Sequence, residues 1–128
     1  MKISVDDKPK RFYIAASEWS PAVGHEIQVG DYRFSALPAG DRLIICEVTT
    51  GFQVHKILYT SDVLEQTDTK EKALSFLAEV GQILENAILK QEDFEELIQD
   101  AYEKSREELG NQPEIHYVDE EELKIFGI

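Results

Sequence analysis

The sequence predicts an α+β fold: an antiparallel β-meander of four to five strands, then an αα unit, then a short C-terminal strand or docked tail. Three observations predict it. Apolar residues alternate with period two through residues 12–60, between turn signals that recur every eight to twelve positions. Near Ser61 the period changes to 3.6. Finally, 128 residues with 42% apolar content support one core and not comfortably two. The chain is therefore read as a single domain, 1–128, with the meander at 12–60, the helical unit at 68–109 and the tail at 114–128.

Residues 6–11 form a polar, Pro-containing arm, the one segment expected to be mobile, and residues 12–17 the first strand. Residues 26–29 and 32–37 flank Gly30-Asp31, where Gly in the first position of a two-residue loop suits a type II′ hairpin, because that position needs a positive φ. Pro38-Ala39-Gly40-Asp41 is the next turn. Residues 43–49 follow, with Ile44, Cys46 and Val48 expected to face inward, and Thr50-Gly51 leads into residues 52–59. Lys56 breaks the alternation there, which predicts a bulge or a snorkelling stem. The core is expected where Phe34, Ala36, Ile44, Cys46, Val48, Phe52 and Val54 meet a helix carrying Phe76, Leu77, Val80 and Leu84.

That helix is marked by Ala73, Phe76, Leu77, Val80, Ile83, Leu84, Ala87 and Ile88, and Asp68-x-x-Glu71 resembles its capping box. A second stripe, Phe94, Leu97, Ile98, Ala101, Tyr102 and Leu109, ends at Gly110, Asn111 and Pro113. The phase runs on between the stripes, so one helix of about 41 residues, roughly 60 Å long, competes with two. Lys90 before Glu92, Asp93, Glu95 and Glu96 favours two, since each charge then suits a helix end, and Asp93-x-x-Glu96 is again a capping-box pattern. In the tail, Ile115, Tyr117 and Val118 suggest a short strand, and Leu123, Ile125 and Phe126 a docked end.

The charge is −13, and all of it lies in residues 61–128; residues 1–60 sum to zero. Such asymmetry argues against direct binding to nucleic acid or an anionic membrane and permits a protein partner with a basic surface. The longest apolar run is five residues, which excludes a membrane-spanning helix and a signal peptide and predicts a cytoplasmic protein. The one cysteine, Cys46, sits in an apolar strand and is expected to pack in the core, resisting thiol reagents, instead of acting as a nucleophile. No phosphate-binding or nucleophile-elbow pattern occurs, so no catalytic residue is assigned. His25, His55 and His116 match no zinc spacing; His116-x-x-Asp119 beside Glu120–Glu122 is too sparse a ligand set, and neither metal nor cofactor is expected.

Two places remain as candidate binding sites. Glu92, Glu96, Glu103 and Glu107 recur near i+4 and i+7, which would align them as one exposed acidic ridge. Residues 17–26 read as a loop rich in side-chain chemistry, holding Trp19 and His25. The leading expectation is a non-catalytic protein–protein interaction module using the acidic helical face. A nucleic-acid mimic of the anti-restriction or anti-CRISPR type is one alternative. A small-molecule binder or small enzyme using the Trp19/His25 loop is the other. A homodimer is also expected, with Leu74, Leu89 and Tyr102 at or beyond the edge of the apolar stripe free to meet a partner helix.

Overall fold

A computed structural model describes residues 1–119. Its strands are β1 (Ile3–Val5), β2 (Lys10–Ala15), β3 (Trp19–Val29), β4 (Tyr32–Ala39), β5 (Arg42–Glu47), β6 (Gln53–Leu58) and β7 (His116–Tyr117). Its helices are α1 (Ser61–Gln66), α2 (Lys70–Lys90) and α3 (Phe94–Leu109). The strands form one antiparallel sheet in the order β6-β5-β4-β3-β2-β7, with β1 pairing β3. The α+β meander-then-helices architecture is thus present, with seven strands in place of four or five.

β1 is an additional strand, ahead of the polar arm of residues 6–11. It and β2 follow one another along the edge of β3 that β4 does not occupy. Between Val5↔Ile27 and Lys10↔Gly24 the arm runs through residues 6–9 while β3 advances only through 25 and 26, so the arm loops outward at Asp7–Pro9. Lys10 and Arg11 belong to β2 and not to a polar leader. The Gly30 turn forms as expected: Gly30 has φ +61°, and β3 and β4 pair from Val29↔Tyr32 to His25↔Ala36.

The larger correction concerns residues 17–26. They are not a loop: residues 19–26 are the first part of β3, which is eleven residues long and changes neighbours midway. Its first half pairs β2 and its second half pairs β4 and β1. The exchange centres on Gly24, where the carbonyl oxygen of Ala36 stands 1.9 Å from the place a Cβ would take. Only glycine lets the two backbones approach this closely. From there β2 and the start of β3 fold over the sheet face opposite α2.

Both faces of the sheet are therefore buried, and there are two cores. On the helix side, Leu77, Val80, Leu84 and Ile88 of α2 pack against Ile27, Val29, Phe34, Ala36, Leu43 and Ile45. On the other side, Phe12 packs with Leu37, Cys46 and Val48, joined by Ile14, Ala22, Ile44 and Ile115. This overturns the expected β5 alternation. Leu43 and Ile45 face the helix, and Ile44, Cys46 and Val48 face the β2 layer. Phe34 and Ala36 meet α2 as expected. Val54, expected in the core, is 44% exposed on β6. The bulge predicted at Lys56 falls at Val54, which the register skips between Ile45↔His55 and Cys46↔Gln53.

The helical unit is two helices preceded by a short one. α1, absent from the sequence reading, is capped by the Thr60 hydroxyl, which accepts from the Val63 amide. Thr69, not Asp68, caps α2, its hydroxyl accepting from the Lys72 amide. α2 ends at Lys90, and α3 starts from Asp93, whose side chain makes no capping bond. Phe94 anchors the start of α3 by an edge-to-face contact with Tyr32, at 4.7 Å and 88°. β7 pairs with the start of β2, so residues 116–117 form the expected strand. Leu123, Ile125 and Phe126 lie outside the described residues. No helix among the described residues is long and apolar enough to cross a membrane.

Candidate functional site

At about 100° per residue, Phe94, Ile98, Ala101 and Ser105 share the face of α3 turned to the protein. Ser105 is fully buried there, and the other three are half-buried. Glu96, Asp100, Glu103 and Glu107 cluster on the opposite pole, all exposed. Spacings of three, four and seven residues put their carboxylates on successive turns. None of the four forms an ion pair with another described residue; Glu103 only accepts a hydrogen bond from Gln99 Nε2. Glu92 is not part of this row. It lies in the connection between α2 and α3, because the helix breaks there, and Asp100 takes the fourth place.

Beside the row, α2, α3 and β6 leave an apolar groove of about 210 Å³, whose walls include Val54, Ile83, Ala87 and Leu97. Val54, Ile83 and Leu97 are 44, 50 and 51% exposed. Leu97 lies roughly a quarter-turn of α3 from the acidic pole. β6 ends the sheet, and its outer edge meets no other described strand. Ile83 and Leu97, expected on the buried stripes, are thus outward-facing, while Leu89, at 65% exposed, points to solvent as a residue beyond the stripe. Of the other two residues set aside for a partner helix, Leu74 is half-buried and Tyr102 is 39% exposed.

Trp19 and His25, on the same strand, do not form one site. The Trp19 indole Nε1 donates to the Gly110 carbonyl at 3.3 Å, and the Arg106 guanidinium lies between the Trp19 and Tyr102 rings, 5.3 and 4.2 Å from their centres. Those contacts hold the end of α3 to the start of β3. Gln112 reinforces the junction, its Nε2 donating to the carbonyls of Val48 at 3.0 Å and Tyr13 at 3.4 Å. His25 is half-buried on the α2 side of the sheet, with Nδ1 2.8 Å from the Asp6 carbonyl oxygen.

A charge cluster joins Asp6, just after β1, to β2, β3, β4 and β7 on the other face. Glu26, 8% exposed, accepts from Arg33 Nη2 at 2.7 Å, Arg33 Nε at 3.1 Å and Lys10 Nζ at 3.1 Å. Asp6 accepts from the Tyr117 hydroxyl at 2.5 Å and the Lys8 amide at 3.0 Å. Burial pushes the Glu26 carboxyl up, but the hydrogen bonds and charges of Arg33 and Lys10 outweigh it, and its pKa lies below that of an ordinary glutamate. The Tyr117 hydrogen bond is the main reason Asp6 is lowered as well. Folded-state values below the unfolded ones mean that these groups contribute stability above the ordinary carboxylate range and lose it as pH falls through their folded pKa values. The melting temperature of the native protein should therefore drop more steeply than that of Glu26→Gln between about pH 5 and pH 3. Parallel melting curves across that range would refute this.

Glu47, also buried, is held by donors from its own turn, the Thr49 amide and hydroxyl and the Thr50 amide. Among the described residues no group of His, Cys, Asp and Glu could hold a metal ion, and Glu120–Glu122, beside His116-x-x-Asp119, lie outside them.

Nothing among protein-family models, curated proteins or solved structures matches this chain. The chemistry of its surfaces therefore has to be read from the chain itself. The ion-pair cluster escaped sequence reading because its members, from Asp6 to Tyr117, meet only through strand register. Three members of the acidic row, Glu96, Glu103 and Glu107, were legible from helical spacing, whereas Glu92 drops out and Asp100 enters because spacing alone does not say where α3 begins.

Proposed function

We propose that the chain is a non-catalytic, cytoplasmic protein-interaction module whose α3 face takes a basic, amphipathic segment of a partner protein. The row of Glu96, Asp100, Glu103 and Glu107 carries this reading. Four carboxylates on adjacent turns repel one another, and none is within ion-pair distance of a described cation, so a cationic partner converts a cost into attraction and faster encounter. The groove at Val54, Ile83 and Leu97 supports it by offering apolar anchorage beside the row. Direct binding of nucleic acid runs against the charge of −13.

The test compares proteins retained from a lysate of the source organism by three baits: the native chain, Glu96→Lys/Asp100→Lys/Glu103→Lys/Glu107→Lys, and Leu97→Glu. The reversed protein should melt at or slightly above the native temperature and lose a partner that the native chain holds in a salt-sensitive manner. Leu97→Glu should weaken the same partner. An unchanged set of bound proteins from a folded, charge-reversed bait would sink the reading and leave the row as a solubilising surface. Competition by duplex DNA for that partner would narrow the proposal to mimicry. A second copy of the chain is the competing occupant of the groove; light scattering at twice the chain mass, reverting to monomer in Leu97→Glu, would identify it.

A further inference from the structure

A second apolar cleft lies elsewhere and shares no lining residue with the groove beside α3. It opens between the middle of β3, the facing ends of β4 and β5, and the α1–α2 corner, and its volume is about 540 Å³. That is within the roughly 300–1,000 Å³ of small-molecule sites. Leu43, Phe76 and Leu77 supply apolar wall, and the polar residues His25, Tyr59 and Lys70 also line it.

Two features of this lining say what it would accept. The first is charge. The chain carries 26 acidic residues, yet no Asp or Glu lines the cleft among the described residues, and its ionisable groups are Lys70, His25 and Tyr59. The second is unspent hydrogen-bonding capacity. The Asp6 carbonyl can only accept, so His25 Nδ1 carries the hydrogen and Nε2 is left without a described partner. The hydroxyl of half-buried Tyr59 and the Nζ of exposed Lys70 likewise make no hydrogen bond or ion pair with a described residue.

We propose that this cleft is a binding site for an amphipathic carboxylate, with its apolar chain against Leu43, Phe76 and Leu77 and its carboxylate toward Lys70. An apolar interior with a few convergent polar groups selects such a ligand by burial and orients it by charge. The inference is independent of the α3 interaction face, and its failure would leave that face untouched.

The probe is decanoate, titrated into the full chain and followed by amide chemical shifts, with decylammonium as the charge-inverted control of equal apolar length. Decanoate should bind saturably, with shifts centred on Ala36, Leu43, Ala73 and Leu77. Decylammonium should bind at least about tenfold more weakly. Lys70→Glu should weaken decanoate by about tenfold or more without lowering the melting temperature, since an acidic side chain suits the first turn of α2. Lys70→Met, which only removes the charge, should fall between. Ala73→Trp, which fills the cleft from α2, should abolish binding. Equal affinity for the two probes, undiminished decanoate affinity in both Lys70 variants, shifts centred elsewhere, or no saturation below about 5 mM decanoate would each overturn the proposal.

Discussion

Gly24→Val should leave little folded protein, or a folded state weakened by about 3 kcal/mol or more. The added Cβ would stand 1.9 Å from the Ala36 carbonyl oxygen and 2.9 Å from its carbon, and neither is a side chain that can swing away. Relief requires β3 and β4 to separate at the point where β3 exchanges neighbours, which loosens both cores together. Gly40→Ala is the informative comparison. Gly40 has φ +64°, so a side chain there is strained, but nothing lies within 4 Å of its Cβ position. That substitution should cost only about 1–2 kcal/mol. Urea melts of the two variants measure the difference directly. If Gly24→Val were no worse than Gly40→Ala, the close approach at Gly24 would not be what shapes the sheet.

Phe12→Ala should cost about 3–5 kcal/mol, the range for emptying a buried aromatic site. Phe12 is 1% exposed and is the largest side chain of the second core, where it meets Leu37, Cys46 and Val48. Its loss leaves a void between β2 and the sheet that a strand pinned on both sides cannot easily collapse into. β2 is pinned by β3 along one edge, β7 along the other, the Gln112 bond to Tyr13, and the bond from the Ala15 amide to the Gly51 carbonyl. Cys46 supplies a local readout. Burial pushes its thiol pKa up to about 12, so the native protein should resist thiol reagents. In Phe12→Ala the same thiol should label faster, under conditions where the variant is still folded, because the layer covering it is loosened. Fast labelling of the native protein would contradict the second core outright.

These two experiments probe what the sequence did not disclose. The layer over Cys46 and the bend at Gly24 are consequences of one event, the change of neighbours along β3, and no local pattern announces it. Residues 17–26 looked like a loop because Pro21, Gly24 and scattered polar residues interrupt any alternation. In the folded chain Pro21 pairs across from Tyr13 and Gly24 admits Ala36, so the same residues are what a sharply bent strand uses. Trp19 and His25 stand six residues apart in the segment richest in side-chain chemistry. They are separated because one fastens the end of α3 and the other borders the cleft under α1 and α2.

Local periodicity by itself determined the α+β order, most of the α2 stripe and three residues of the acidic pole of α3, Glu96, Glu103 and Glu107. These depend only on how side chains alternate along a strand or recur around a helix. The separation of α2 from α3 was also legible, in the charges on either side of Gln91, which suit two helix ends better than one helix interior. Only the tertiary structure decided that β5 is buried on both faces, that Glu26 finds Arg33 and Lys10, and that a cleft free of described carboxylates opens in a chain of charge −13. Alternation marks two faces of a strand but not what will cover each. That is decided when β3 bends at Gly24 and brings β2 over one side, joining residues that register and packing, not sequence proximity, place together.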